Sequence, residues 1–266
     1  MAFAPTLSPV QCNRLRDMIR YLKNENPEQF HHLPMPDEAE MLKRLWRSLV
    51  NLRPPMEASD EYLQLEDAFL QDNLSTQEVT HYQTIPESKP GIRLWRGDIT
   101  LLQADGIVNA ANSGMTGCYA PCHGCIDNVI HTFAGIRLRL ACHQQMESQG
   151  FPEPTGQAKI TPGFNLPAKH VLHTVGPIIS RPLTHQDEEL LAACYTHCLD
   201  LSALNGLKSI AFPCISTGEF HFPKHRAAEI AFWTVQDYLQ SYGTSMNVIF
   251  NVFTQEDHEI YAEILG

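Results

Sequence analysis

The sequence has little positive charge and no long hydrophobic run. Its 266 residues include 19 lysines and arginines against 30 aspartates and glutamates, which gives a formal net charge of −11 at pH 7. A sequence-independent grip on nucleic acid needs a large basic surface, and no apolar run reaches the ~18 residues of a membrane span. We therefore expect neither nucleic acid nor a membrane as a partner. A small phosphorylated ligand held by backbone amides stays compatible with this charge.

The chain also lacks a visible secretory signal and a disulfide framework. Residues 1–6 contain no basic segment followed by a long apolar one, so we expect a cytoplasmic location. Eight cysteines are too few for a disulfide scaffold at this length. Three of them, Cys118, Cys122 and Cys125, lie within eight residues together with His123. In a reducing compartment such a cluster is typical of a metal or redox site.

Two regions of the chain differ in their apolar pattern. Residues 1–88 carry apolar side chains at helical spacing, which predicts a helical N-terminal extension. In residues 89–266 short apolar strands alternate with amphipathic helices, including one long helix predicted from Ile126 to Met146. This alternation predicts an α/β fold with a largely parallel or mixed sheet and helices on both faces. The predicted strands are Ile92–Trp95, Gly106–Asn109, Ala158–Thr161, His170–Val175, Ser209–Phe212 and Met246–Phe253.

One loop of the second region has the composition of a phosphate-binding turn. A buried strand that ends at Pro213 is followed by Ser216, Thr217 and Gly218, and then by a helix that begins with Pro223. Such a loop can aim several N–H groups at a phosphate near a helix N-terminus, whose dipole favours anions. An ordinary strand-to-helix turn would show the same pattern.

Two asparagines, Asn109 and Asn112, follow another buried strand. Ligands of open α/β sheets bind at such strand ends. The two amides would hydrogen-bond either the hydroxyls of a ribose or the turn in which they lie.

These segments together resemble the macrodomain family of ADP-ribose-binding α/β/α modules. The resemblance covers about residues 90–266, and the matching pieces stand in the family's order and spacing. It implies a three-layer α/β/α macrodomain with a mixed central sheet over residues 89–266, preceded by the helical N-terminal extension. The matching pieces are Gly97 to Ile99, Asn109 to Asn112, Ile126 to Ile130, His173 to Pro177 and Ile215 to Phe220.

The resemblance implies a role for individual residues. Asp98 is expected to hydrogen-bond the adenine amino group, with Ile99 beside it, and Asn112 to touch the distal ribose. Asp127 matches the position of an aspartate that the hydrolytic branch carries near the start of a helix. The expected diphosphate-binding residues, acting mostly through backbone amides, are Ser216, Thr217, Gly218, Glu219 and Phe220.

The sequence departs from familiar hydrolytic macrodomains just before Asp127. Those proteins have a run of glycines there, whereas this chain has the cysteine-rich segment from Gly117 to Cys125. The segment resembles the zinc-dependent microbial branch, which is found beside sirtuin-type ADP-ribosyltransferases and lipoate-handling proteins. The resemblance implies Zn²⁺ as the cofactor, a mono-ADP-ribosylated protein such as a modified lipoyl-carrier protein as the substrate, and ADP-ribose as a product.

The chemistry of the cluster leaves three alternatives. Thiolate and imidazole suit Zn²⁺, and four ligands would make a closed structural site, whereas three would leave a position for water or substrate. We favour the three ligands Cys118, His123 and Cys125, because the adjacent Cys122 and His123 point apart in an extended loop; the resemblance implies the same set. A redox pair of Cys122 and Cys125 is the third alternative.

The expected activity is zinc-dependent removal of mono-ADP-ribose from protein side chains, with an aspartate or glutamate linkage. Asp127 would orient or deprotonate the attacking water, and Asn112 would fix the ribose. An acidic residue at a helix start is also explained by the helix dipole alone. The alternative function is an ADP-ribose reader with a structural zinc. The N-terminal helices would either pack against the macrodomain or offer a docking surface for the modified protein.

Overall fold

The computed structural model describes residue 3, residues 6–243 and residues 245–266. Its N-terminal part is helical, as the apolar spacing predicts. The helices of this part are α1 (Pro9–Glu25), α2 (Pro27–Phe30), α3 (Ala39–Leu52) and α4 (Asp60–Ser75). Serines begin two of them: Ser8 forms a capping box with Gln11 at α1, and Ser59 caps α4. In the described residues, no helix combines the length and the apolar character needed to cross a bilayer.

A mixed seven-stranded sheet forms the centre of the second region. Its strands, in sheet order, are β2 (Glu87–Lys89), β3 (Ile92–Arg96), β9 (Asn247–Val252), β8 (Ser209–Phe212), β5 (Gly106–Ala110), β7 (His170–Thr174) and β6 (Ala158–Pro162). The five central strands are parallel, and the two edge strands are antiparallel to their neighbours. Two short strands, β1 (Thr80–His81) and β4 (Leu102–Gln103), pair separately.

The central strands bury side chains on both faces, because successive residues of a strand point to opposite sides. On β5, Ile107 joins one apolar cluster and Val108 the other; on β7, Val171 and Leu172 divide in the same way. Helices cover both faces, which confirms the predicted α/β/α architecture. One face carries α5 (Ile126–Ala134) and α6 (Ile136–Gln149); the other carries α7 (His185–Leu204), α8 (Lys224–Tyr242) and α9 (Gln255–Leu265).

The N-terminal helices extend the first of these clusters. Trp46 of α3 and Phe69 of α4 are fully buried, with ring centroids 5.3 Å apart. They belong to the same apolar cluster as Phe133 of α5 and Ile107 of β5. The extension and the sheet therefore share one hydrophobic core. The boundary predicted between residues 88 and 89 falls inside β2, which pairs with β3.

The prediction of one long helix from Ile126 to Met146 is wrong. Gly135, with φ of 92°, separates α5 from α6. A Cβ atom at this glycine would lie 2.6 Å from Oε2 of Glu66, and the same oxygen accepts a hydrogen bond from the N–H of Ile136 at 3.0 Å. A carboxylate from α4 thus caps the start of α6, where unpaired N–H groups favour an anion.

Glu66 is fully buried at this junction. Burial raises the pKa of its carboxyl group from 4.5 to about 7, although the hydrogen bonds from Ile136 and Tyr62 act in the opposite direction. Between these two pH values the folded protein binds a proton that the unfolded chain releases. The contribution of Glu66 to stability is therefore complete below pH 4.5 and is lost as the pH rises through 7.

We expect Glu66→Gln to remove this pH dependence, because the neutral amide has the same shape and does not titrate. Between pH 4.5 and 8 the free energy of unfolding of the variant, relative to wild type, should rise by about 3 kcal/mol. Urea unfolding at a series of pH values measures the difference. Glu57→Gln, at an exposed position, is the matched control, and equal curves for wild type and Glu66→Gln would contradict the expectation.

Candidate functional site

A cavity of about 970 Å³ lies at the carboxyl ends of the parallel strands. Loops that follow β3, β5, β7 and β8 line it, together with the end of β9. All the site residues predicted from the sequence line this one cavity. They are Asp98, Ile99, Asn112, Cys118, His123, Cys125, Asp127, Ser216, Thr217, Gly218, Glu219 and Phe220.

The loop after β8 presents its backbone to the cavity. Its internal hydrogen bonds use the N–H groups of Thr217, His221 and Phe222. Those of Gly218 and Glu219 have no acceptor among the described residues. N–H groups left in this way are the donors that a phosphate requires.

Ser216 of this loop lies very close to Gly176. Its φ of 65° is unusual for a residue other than glycine. A Cβ atom at Gly176 would lie 2.0 Å from Oγ of Ser216, so only glycine leaves room for the serine. The hydroxyl is buried and has no hydrogen-bond partner within the described ranges. A buried polar atom of this kind beside a cavity points to a partner in the ligand.

Another part of the cavity wall is the turn that contains Asp98. Oδ1 of Asp98 accepts hydrogen bonds from the N–H and the hydroxyl of Thr100, at 3.0 and 2.6 Å. Ile99 is 4 % exposed and lies in the apolar cluster. Asn251, which the sequence analysis did not select, donates to the carbonyl of Gly97 at 3.0 Å. Its signal was a polar residue near the end of a strand that is apolar from Val248 to Phe250.

Three of the four clustered donors meet on the cavity wall. The ligand atoms of Cys118, His123 and Cys125 all lie within 4.8 Å of one another, with 3.8 Å between Sγ of Cys118 and Nδ1 of His123. Cys122 is turned away: its Sγ lies 3.3 Å from Oγ of Ser48 on α3. The geometry therefore brings together the predicted set of three and separates the fourth cysteine.

These three residues fit a zinc ion. Two thiols and one imidazole are the donor types that Zn²⁺ prefers. Burial, together with the neighbouring Cys118 and Asp127, raises the pKa of the Cys125 thiol to about 12, although a hydrogen bond from the N–H of Asn128 opposes the shift. A divalent cation would supply the positive charge that the thiolates need.

Asp127 lies in the first turn of α5, and its carboxylate is held from two sides. Oδ1 accepts from Nδ2 of Asn109 at 2.8 Å, and Oδ2 accepts from Nδ2 of Asn112 at 3.2 Å. Burial raises the pKa of this carboxyl group to about 6, against the opposing effects of the two asparagines and of Arg139. The second N–H of Asn112 donates to the carbonyl of Gly117 at 3.1 Å. Asn112 thus ties the cysteine-rich segment to Asp127.

Behind Asp127 lies a chain of buried polar groups. Nδ2 of Asn109 is 3.2 Å from Nδ1 of His173, and Nε2 of His173 is 2.9 Å from Oγ1 of Thr161. Burial lowers the pKa of His173 to about 3, so its ring is neutral. A neutral ring can accept from Asn109 and donate to Thr161. His131, on the next turn of α5, places Nε2 3.5 Å from Oδ1 of Asp127.

His131, Cys142 and His173 form a second group of potential metal ligands in the described part of the chain. Both nitrogens of His173 already face protein partners. Burial lowers the pKa of His131, and the charges of His173 and Arg139 act in the same direction. We interpret this group as buried packing behind Asp127 rather than as a metal site, because a nearby guanidinium opposes a further cation.

Comparisons with known proteins relate this chain to a protein family and to solved structures. The family model "Macro domain" matches residues 108–231. A protein of Treponema medium named protein-ADP-ribose hydrolase is 52% identical over 94% of this chain and 97% of its own length. One of Staphylococcus aureus strain MSSA476, with the same name, is 49% identical over 87% of each chain. The structure of a Trypanosoma brucei macrodomain in complex with ADP-ribose is 30% identical, covers 83% of this chain and 95% of its own, and has a TM-score of 0.65.

We expect Asn109→Ala to destabilise the protein by about 1–3 kcal/mol, because a buried carboxylate then loses a hydrogen-bond donor. Urea denaturation of both proteins measures the change. Asn13→Ala, at an exposed position of α1, should stay within about 0.5 kcal/mol of wild type. If Asn109→Ala changes the free energy of unfolding by no more than about 0.5 kcal/mol, the hydrogen bond from Asn109 to Asp127 does not stabilise the protein.

Proposed function

The chain belongs to the Macro domain family, and on that premise we propose that it is a zinc-dependent hydrolase that removes mono-ADP-ribose from modified protein side chains. One observation carries the proposal: the cysteine and histidine cluster and Asp127 lie on the wall of the same cavity as the loop with unpaired N–H groups. A reader needs the loop but not an open metal position beside a buried carboxylate. The relatives named protein-ADP-ribose hydrolase match the chain over 87% to 94% of its length.

The cavity offers separate contacts for the parts of ADP-ribose. Asp98 and Ile99 would receive the adenine, which the family resemblance places there. The N–H groups of Gly218 and Glu219, with the hydroxyl of Ser216, would receive the diphosphate. These donors explain how a protein with a net charge of −11 can bind an anion, since backbone amides carry no net charge.

The reacting end of the ligand would lie between the loop after β8 and the cysteine cluster. The two walls approach closely, with 3.8 Å between Oε1 of Glu219 and Nε2 of His123. Held there, the distal ribose is next to Asp127, and positioning of this kind replaces a bimolecular encounter. Asp127 would orient the water and take its proton, Asn109 and Asn112 hold the carboxylate in place, and hydrolysis yields ADP-ribose and a free side-chain carboxylate.

Cys118, His123 and Cys125 would hold the metal. When bound, Zn²⁺ supplies Lewis-acid stabilisation of negative charge on an oxygen. The resemblance to the zinc-dependent branch implies a linkage to aspartate or glutamate. It also implies a lipoyl-carrier protein, modified by a sirtuin-type transferase, as the substrate. A cytoplasmic location agrees with the free thiols of all eight cysteines, which a reducing compartment preserves.

The purified protein, incubated with a carboxylate-linked mono-ADP-ribosylated protein, should release ADP-ribose, and a strong zinc chelator should stop the release until zinc is added back. Cys118→Ala, His123→Ala and Cys125→Ala should each lower the rate at least about 100-fold, because Lewis-acid stabilisation contributes several kcal/mol. Cys122→Ser is the matched control and should keep the wild-type rate within about threefold. Mass spectrometry of the released ADP-ribose measures all of these rates.

Two outcomes would contradict parts of this proposal. Tight ADP-ribose binding without release, with or without zinc, would make the protein a reader. Release that the chelator and the three alanine variants leave unchanged would remove zinc from the proposed activity.

Asp127→Ala should lower the single-turnover rate of release about 10²–10⁴-fold, since general base catalysis is worth that factor. The affinity for free ADP-ribose, measured by calorimetry, should change less than about threefold. Asp237→Ala, at an exposed position of α8, is the control for a lost acidic side chain. If Asp127 acts only as the acidic residue of a helix start, its variant will lose stability and keep its rate.

A further inference from the structure

The segment from residue 117 to residue 125, which we call the cysteine loop, has neither helix nor strand, yet it must present three ligands together. Its inner side is held by Asn128 of α5, which is fully buried. Nδ2 of Asn128 donates to the carbonyls of Cys118 and Ala120, at 3.3 and 2.9 Å. These bonds determine the path of the first half of the loop, and the second half requires another support.

Arg47 of α3 supplies part of that support. Its Nη2 donates to the carbonyl of His123 at 2.7 Å and to Oδ1 of Asn128 at 2.8 Å. Nη2 of Arg47, a residue of the N-terminal extension, therefore contacts both His123, a predicted metal ligand, and Asn128, which holds the first half of the loop. Charged donors form stronger hydrogen bonds than neutral ones.

Asn51, one turn further along α3, holds the residue between the two halves. It is 1 % exposed; its Oδ1 accepts from the N–H of Cys122 at 2.9 Å, and its Nδ2 donates to Oγ1 of Thr132 on α5 at 3.0 Å. Cys122 has φ of 55°, a conformation that costs about 1–2 kcal/mol for a residue other than glycine. The hydrogen bond from Asn51 offsets part of this cost, and the turn keeps the Cys122 thiol away from the cluster.

The end of α3 is itself anchored to the loop. Nη1 of Arg139 on α6 donates to the carbonyls of Val50 and Asn51, at 3.1 and 2.8 Å. The same guanidinium lies over the ring of Tyr119, a residue of the cysteine loop, at 4.3 Å from the centroid. Arg139 thus contacts both the last turn of α3 and the cysteine loop.

We propose that Arg47 and Asn51 are positioning residues of the metal site, and that α3 is a wall of the active site rather than only a packing or docking element. The proposal rests on the proposed function in one respect, because that function makes Cys118, His123 and Cys125 metal ligands. Residues that orient metal ligands from outside commonly change the metal affinity 10–100-fold.

The variants Arg47→Ala and Asn51→Ala test the proposal in the full chain. Arg44→Ala is the matched control, because it removes an exposed arginine from the same helix and keeps the backbone carbonyl that faces Cys122. Arg47→Lys retains a charged donor and should restore part of the effect. Two readouts other than activity are needed: amide hydrogen exchange of residues 117–125 in metal-stripped protein, and zinc affinity from competition with a chromogenic chelator.

We expect Arg47→Ala and Asn51→Ala to accelerate exchange in the loop at least about tenfold and to weaken zinc binding about 10–100-fold. Arg44→Ala should change neither quantity, and Arg47→Lys should lie between it and Arg47→Ala. Exchange and zinc affinity within twofold of the control in both alanine variants would overturn the proposal. If the amide hydrogens of the whole sheet exchange faster in an alanine variant, that variant has lost its fold. The proposal is then tested by the variants that stay folded.

A failure of the proposed function gives a different result. If the wild-type protein binds no zinc at the cluster, the zinc part of that function is wrong. The exchange of the metal-stripped loop then tests only whether α3 holds the cysteine loop: faster exchange in the alanine variants shows that it does, and unchanged exchange overturns this part of the proposal as well.

Discussion

The position of the first turn of α5 is the constraint on which the site depends. Within four residues this turn supplies Cys125 at the helix N-cap, Asp127, and Asn128, which holds the cysteine loop. A predicted metal ligand, a carboxylate and the residue that supports the cysteine loop therefore all lie on the same helix turn. Any shift of α5 against the sheet would change all three at once, so the packing around this short helix matters more than any single contact in the cavity.

That packing comes from both sides of α5. On one side lies the sheet, from whose strand ends Asn109 reaches Asp127. On the other side lies the N-terminal extension, whose residues share a continuous apolar core with α5. Polar contacts cross the same interface, including those of Asn51 with Thr132 and of Arg47 with Asn128. In the absence of the extension, α5 would face water with an apolar surface, and Asn128 would lose a charged hydrogen-bond donor.

Burial and hydrogen bonding shift the pKa of Asp127 in opposite directions. Burial raises the pKa values of Asp127 and Cys125 because it disfavours their charged forms. The surrounding amides of Asn109 and Asn112 favour the charged carboxylate. A bound cation would favour the ionised forms of these neighbouring groups. The site is suited to bind a cation and to direct a water molecule, and it requires precise support from neighbouring side chains.

Local patterns in the sequence predicted the alternation of strands and helices and the loop from 216 to 218, because turn residues and apolar spacing act over a few positions. The donor types indicated a metal or redox site in residues 118–125, and the family resemblance added Glu219 and Phe220 and favoured the set of Cys118, His123 and Cys125. The zinc ion and the modified protein remain predictions. Only the tertiary structure decided where the long helix breaks, because the cause is Glu66, a carboxylate from another helix. It also showed that Arg47 and Asn51 form hydrogen bonds with His123 and Cys122, which lie more than seventy residues further along the chain. Contacts between such distant residues depend on how the helices pack, and no periodicity or short motif in the chain encodes them.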